Sequence, residues 1–358
     1  MSLPQRQVGP DYAKMLGIIL VVFGHTIRGL INAEILPADS AFWLTVDRAI
    51  YLFHMPLFFF LSGMFIQQVL AKTPLRDFFR RNILIFIVPL IFWSYTQTGI
   101  QYFAASSVNV ERSLAYVLQA PFPPKQQFWF LWALFLISCF SAVVLKLSNG
   151  KTLLTLLAVM TLAVMSADNR FGLAGVTYKM AGQTFGEAVF FFPYFVMGVL
   201  LATPAVGHSS SRFWIWLLLF TGSVIGYLAG YQQSNAFYYL FSFISVYASY
   251  QCIAYIGEAI QARLVAENAN NRLLQNLHHL LIFIGMNSFI IYLAHIIPEA
   301  GIRVVLMQLG ITDPLIHVTA GTLMGLLAPL LLVPVNLLLV RHWQSANYIF
   351  PVRRMKYA

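Results

Sequence analysis

The stretch Asp11–Arg28, DYAKMLGIILVVFGHTIR, decides the fold. Its long apolar run reads as a membrane helix, since about 20 mostly apolar residues are what a hydrocarbon core requires. Four polar residues share one stripe on it. At about 100° per residue, Lys14 and His25 differ by only about 20° around the helix axis, and Asp11 and Arg28 fall within about 60° of the same line. Asp11, Lys14 and Arg28 have an ordinary reading as markers of the two membrane rims. His25 has none, because an ionisable group inside a span is expensive and marks function by default. The structural alternative is a satisfied helix-to-helix hydrogen bond.

The rest of the chain agrees with a membrane setting. Of its 358 residues 59% are hydrophobic and only 9% charged, and the mean hydropathy is +0.74. A soluble domain carries about a quarter charged residues. The formal charge of +10 is spread over short loops, which argues for membrane topology and against a nucleic-acid partner. Cys139 and Cys252 lie in separate apolar runs and offer neither a disulfide framework nor metal-ligand spacing. No small-residue cleavage site follows the first apolar run, so the first helix is expected to be retained.

About ten spans are expected at roughly 20 residues each: 13–31, 50–70, 83–103, 127–147, 152–166, 187–203, 213–231, 236–256, 280–298 and 315–340. The fifth and sixth are short. The stretch 301–311 extends the ninth or forms a re-entrant piece, so nine and eleven spans stay open. The expected fold is thus an all-α integral membrane bundle of a single domain, residues 1–358, without a repeat or an appended soluble domain. With the N-terminus inside, about 15 of the 22 cations fall on the cytoplasmic side. That set includes Arg6, Lys14, Lys72, Arg76, Arg80, Arg81, Arg353, Arg354 and Lys356, whereas Arg28, Arg112, Arg170 and Lys179 fall outside it. Both termini are expected to be cytoplasmic.

The second span begins with Asp47, Tyr51 and His54 on one face and continues through FHMPLFFFLSGMF. His54 reads first as a partner of Asp47 at the outer rim, with direct chemistry as the second reading. Arg76, Arg80 and Arg81 follow in a short inner stretch, where they anchor the chain to anionic lipid or hold the phosphates of a nucleotide-like cofactor. Trp129 and Trp132 read as an interfacial belt. The stretch 167–186 reads as an outer loop rich in glycine and polar residues. On the inner side, 257–280 reads as an interfacial helix with His278 and His279 at its surface. The ninth span carries a second polar stripe, Ser288, Tyr292, His295 and Glu299, at positions that share one helix face. Two histidine-bearing stripes in separate spans point to a polar cavity between helices.

These motifs resemble the membrane acyltransferase-3 family, multi-span O-acyltransferases that modify bacterial polysaccharides and other surface glycans. The resemblance rests on D-x-x-K-x-x-G followed by VVFGH, on FHMPLFFFLSG, on FWFLWALF and on NSFIIYLAH, in that order along the chain. The first is the most specific, because the family sets a basic residue ahead of its essential histidine, as Lys14 stands ahead of His25. The resemblance implies an acyl-CoA donor, usually acetyl-CoA, a hydroxyl acceptor on a glycan or related molecule, and a bacterial inner membrane. One departure is plain. The family often has two arginines three apart after its second helix, whereas Arg76 and Arg80 are four apart.

The physics is compatible with that implication. At 1.5 Å per residue His25 lies about 16 Å along the helix from Lys14, past the middle of a core roughly 30 Å thick. A donor with its charged nucleotide at the rim can carry a thioester inward along that face. Histidine titrates near neutrality and can take a proton from an attacking hydroxyl, or it can itself form an acyl intermediate. Ser288 and Tyr292 are candidate donors to the developing oxyanion. A transporter or flippase with a histidine proton relay is the rival reading, though no inverted repeat supports it, and a non-catalytic scaffold is the third. No residue names the acceptor or the oligomeric state.

Overall fold

The computed structural model describes residues 8–104, 113–171, 173–202, 210–230, 234–266, 271–344 and 346–352, and their side chains except at 167–184 and 210–211. Among these residues the chain is helical throughout. In order come α1 (Gly9–Asn32), α2 (Ala41–Tyr51), α3 (His54–Lys72), α4 (Leu75–Asn82), a π-turn (Ile83–Ile87), α5 (Val88–Phe103), α6 (Leu114–Leu118) and α7 (Trp129–Leu145). There follow α8 (Gly150–Phe171), α9 (Leu173–Leu201), α10 (Ser210–Ala229), α11 (Asn235–Ala266) and α12 (Arg272–Met286). The chain finishes with α13 (Ser288–Ala294), α14 (Ile296–Gln308), α15 (Pro314–Leu327), α16 (Leu332–His342) and α17 (Ala346–Ile349).

Seven stretches are long and apolar enough to cross a membrane, or eight if α12 and α13, bent by 59° at Asn287, form one span. Two shorter apolar stretches, Gly150–Ser166 and Phe185–Leu201, fall where the short fifth and sixth spans were expected. The protein is a multi-pass membrane protein. Arg6, Arg112, Arg353, Arg354 and Lys356 lie outside the described residues, as do the side chains of Arg170 and Lys179.

α1 is the centre of the bundle and packs against α3, α11, α12 and α15. Tyr12, Ile18, Val22 and Ile27 on it are fully enclosed. The closest crossing joins α3 to α9. A Cβ on Gly63 would stand 1.9 Å from the Phe195 carbonyl oxygen, and one on Gly198 would stand 2.0 Å from that of Phe60. Small residues let two backbones meet where lipid supplies no hydrophobic drive. Gly63→Ala is therefore expected to lower stability by about 1–3 kcal/mol, because a backbone carbonyl cannot rotate away from the added methyl. Gly222→Ala, with nothing within 4 Å of the new atom, should leave the melting temperature in detergent where it is. Equal effects of the two would contradict this packing.

Four expectations give way. The stretch 167–186 is not a loop, since α8 runs to Phe171 and α9 starts at Leu173; glycine content is a weak prior that helix packing overrides. The inner segment 257–280 is not one interfacial helix but the end of the long α11 and the start of α12, parted by residues 267–270, which are outside the described set. His278 is not at the surface. It is buried and shares a 2.7 Å hydrogen bond with the Tyr12 hydroxyl, tying α12 to α1. Trp129 faces inward, stacked on Phe191 at 5.2 Å and on Phe59 at 6.4 Å, because three aromatic faces on α3, α7 and α9 have each other to cover.

Candidate active site

A cavity of about 780 Å³ runs beside α1, within the size range of small-molecule sites. Lys14, Arg81 and Asn82 line one part of it, and Val21, Met55 and Tyr292 another. Between them the wall is mostly apolar and rich in phenylalanine, with Ser62, Ser138 and Ser288 as polar points. Ile85 and Phe86 of the π-turn also face it, and such turns widen a helix locally and recur at functional sites. Val21, Met55 and Tyr292 each stand within one helical turn of a histidine: His25, His54 and His295.

None of the three histidines lines the cavity itself, but they lie close to one another. The His25 and His295 rings lie edge to face, centroids 5.1 Å apart, and His54 and Arg28 are the next groups that act electrostatically on His25. His25 is partly exposed, and its ring makes no hydrogen bond among the described residues. His54 and His295 differ, because each stands where a helix is interrupted and takes up a backbone carbonyl. His54 Nδ1 bonds to the Ile50 carbonyl at 2.8 Å. His295 Nδ1 bonds to the carbonyls of Tyr292 and Ile291 at 2.8 and 3.1 Å. A carbonyl only accepts, so in both rings Nδ1 carries the proton and Nε2 is left as a lone pair. His295 Nε2 is buried and has no hydrogen-bond partner among the described residues.

The expected pairing of His54 with Asp47 is not formed. Asp47 instead holds Arg28 in two bonds, Nε to Oδ1 at 2.8 Å and Nη2 to Oδ2 at 3.0 Å, a geometry matched to the guanidinium fork. Arg28 also covers the Tyr51 ring at 3.3 Å, and Tyr51 meets His54 edge to face at 4.4 Å. This chain of contacts fixes α2 against α1 and supports the His54 ring from behind.

The remaining expected residues separate into groups. Lys14 Nζ donates to Asp11 Oδ1 at 3.3 Å, so buried Asp11 serves Lys14 at the lower end, about 21 Å along α1 from His25. Arg76, Arg80 and Arg81 are all exposed, and of the three Arg81 alone lines the cavity. Ser288 lines the cavity, and its hydroxyl makes no hydrogen bond among the described residues. Tyr292 lines it too, but its hydroxyl donates to the Gln127 carbonyl, so its proton is already committed. Of the two oxyanion candidates Ser288 is the available one.

Glu299 is buried at the junction of α1, α14 and α15. Thr26 and Arg303 are the groups that act on it. A Cβ on Gly325 would stand 2.7 Å from Glu299 Oε1, which explains why glycine occupies that turn. Oε1 and Thr26 Oγ1 have no hydrogen-bond partner. Arg303 continues the junction with a 2.8 Å bond to the Gly29 carbonyl. Among the described residues no group of three acidic, histidine or cysteine side chains is arranged to hold a metal ion.

The wall that sequence reasoning missed is the C-terminal one. Asn347, Tyr348, Pro351 and Val352 line the cavity. Their only sequence signal is the short polar break after α16.

Comparison with known proteins gives the family. Residues 7–333 match the acyltransferase-3 family, described as an acyltransferase domain. Nodulation protein NolL of Mesorhizobium japonicum is 24% identical over 217 residues, covering 60% of this chain and 52% of that protein. Nodulation protein NolL of Sinorhizobium fredii is 30% identical over 132 residues, 36% of this chain and 34% of the relative. The chain thus spans about half or less of the curated relatives it matches. No solved structure matches it. With the motifs of α1, α3, α7 and α13 all inside the matched region, the chain belongs to the acyltransferase-3 family.

Proposed function

We propose that this protein is a membrane O-acyltransferase of a bacterial inner membrane, with both termini cytoplasmic. It moves an acyl group, acetyl in the first instance, from acyl-CoA to a hydroxyl of a glycan or related acceptor. The observation that supports the reading is the cavity itself: basic at Lys14 and Arg81, mostly apolar along its length, and lined also by Val21, Met55 and Tyr292, which are close along their helices to His25, His54 and His295. A long thin donor with a charged head and a reactive tip fits that profile. The phosphates meet Lys14 and Arg81, and the arm runs along the phenylalanine wall. The thioester arrives beside His25.

His25 accepts the proton of the acceptor hydroxyl as its oxygen attacks the thioester carbonyl. The Ser288 hydroxyl donates to the oxyanion that forms. Collapse breaks the carbon–sulfur bond, and the thiolate leaves with the proton from His25. His295, through Nε2, holds the imidazolium in the interval. A route through an acyl-His25 intermediate uses the same groups in two steps. Glu299, buried beside Thr26 and Gly325, is a further candidate for a supporting role.

The cavity lining gives a direct test. Arg81→Ala is expected to raise the KM for acetyl-CoA about ten-fold, the loss of one charge-assisted phosphate contact. Arg76→Ala and Arg80→Ala should shift it less than about two-fold, as solvated side chains do. A titration in which Arg76→Ala weakens acetyl-CoA and Arg81→Ala does not would overturn the assignment of the donor to this cavity.

A further inference from the structure

The family match ends at residue 333, yet the cavity wall continues beyond it. After α16 the chain turns at Trp343 and lays residues 346–352 back along α5 and α16. Trp93 Nε1 donates to the Ile349 carbonyl at 2.9 Å, and the Phe350 ring meets Trp93 at 6.0 Å and Phe92 at 5.8 Å. Buried Asn336 donates through Nδ2 to the Phe350 carbonyl and to Asn347 Oδ1, the latter at 3.2 Å. A terminal segment ordinarily frays unless it is tied down. This one is tied at its middle to two helices, and Asn347 and Tyr348 face the cavity.

We propose that the segment Ala346–Val352, beyond the residues that the family model matches, is a donor-binding wall, and that Asn347 and Tyr348 bind the arm of the thioester donor. The inference rests on the donor reading of the cavity given above. Its chemistry is specific. The pantetheine arm of a CoA thioester carries two amides and a hydroxyl, and polar groups entering an apolar cavity need partners. The opposite walls are mostly apolar, with Ser62, Ser138 and Ser288 as scattered polar points. Asn347 spends Oδ1 on Asn336 and, at 3.5 Å, on the Val352 amide. Its Nδ2 and the Tyr348 hydroxyl make no hydrogen bond among the described residues. The wall therefore presents one fixed donor and one hydroxyl to an arm that needs both.

The test uses the purified full-length protein with two probes, acetyl-CoA and acetyl-pantetheine, the second lacking the nucleotide and its phosphates. Asn347→Ala and Tyr348→Phe are each expected to raise KM about three- to ten-fold for both probes, the usual range for one hydrogen bond, with kcat within about two-fold of the parent. Arg81→Ala should raise KM for acetyl-CoA and leave acetyl-pantetheine unchanged. Parental KM values for Asn347→Ala and Tyr348→Phe on both probes, with the Arg81 effect present, would overturn the wall while leaving the donor site standing. A parent that neither binds nor turns over either thioester would overturn both. A lower melting temperature with unchanged KM would assign the segment to folding alone and also overturn the proposal.

Discussion

His25→Ala lowers acyl transfer by about 10²–10⁴-fold, the range that a positioned general base supplies, and leaves a folded, membrane-inserted protein that still binds acetyl-CoA. The loss is expected in kcat, because His25 is not among the residues that line the cavity, whose cations are Lys14 and Arg81. A purely structural histidine behaves otherwise. Removing a buried hydrogen-bonding group costs about 1–3 kcal/mol of stability, and the His25 ring has no such bond to lose among the described residues. The melting temperature of His25→Ala in detergent should therefore stay close to that of the parent. A large thermal loss accompanied by parental turnover per folded molecule would give His25 back to packing.

His295→Gln is expected to have the second largest effect, a fall in kcat of about 10–100-fold with the KM for acetyl-CoA unchanged, as for loss of an interaction made only in the transition state. In the proposed mechanism His295 is a positioning residue that acts through His25, whose ring it meets at 5.1 Å, while its Nδ1 is already held by the Tyr292 and Ile291 carbonyls. Glutamine can keep a side-chain bond to those carbonyls but cannot also return the aligned Nε2 lone pair. The double variant His25→Ala/His295→Gln should then fall no further than His25→Ala alone, since the two act as one unit. Multiplied losses in the double variant would mean that His295 works independently, and an equal loss in KM and kcat would mean that it shapes the cavity instead.

Much of this site was legible because helical period is local. Lys14 and His25 share a face of α1 by arithmetic, and the structure puts the first in the cavity lining and the second against the His295 ring, four residues beyond Val21 of the lining. The second stripe was legible as far as Ser288, Tyr292 and His295. Beyond that, period alone was insufficient. The bend at Asn287 and the break at His295 turn Glu299 away toward α15, and no spacing rule announces a break that tertiary contacts create. Long-range pairs were invisible for the same reason. Tyr292 to Gln127, Tyr12 to His278 and Trp93 to Ile349 join residues 165, 266 and 256 positions apart, and neither hydropathy nor charge records such a choice. Asp47 shows a subtler failure. Its pairing was sought along its own helix at His54, but a carboxylate prefers a bidentate guanidinium, and Arg28 supplies one from across the α1–α2 turn. The arginines of α4 needed the structure as well, because three cations within six residues cannot all face one cavity and only the lining separates Arg81 from its neighbours.

The most direct measurement follows thiol release from radiolabelled acetyl-CoA together with label in extracted glycans, in membranes carrying the parent or His25→Ala at matched expression. The expected result is acceptor-dependent thiol release and labelled glycan in the parent, with both absent in His25→Ala. A parent that moves solute across the membrane without consuming acetyl-CoA over a broad acceptor pool, or a His25→Ala variant that transfers label at the parental rate, would contradict the account.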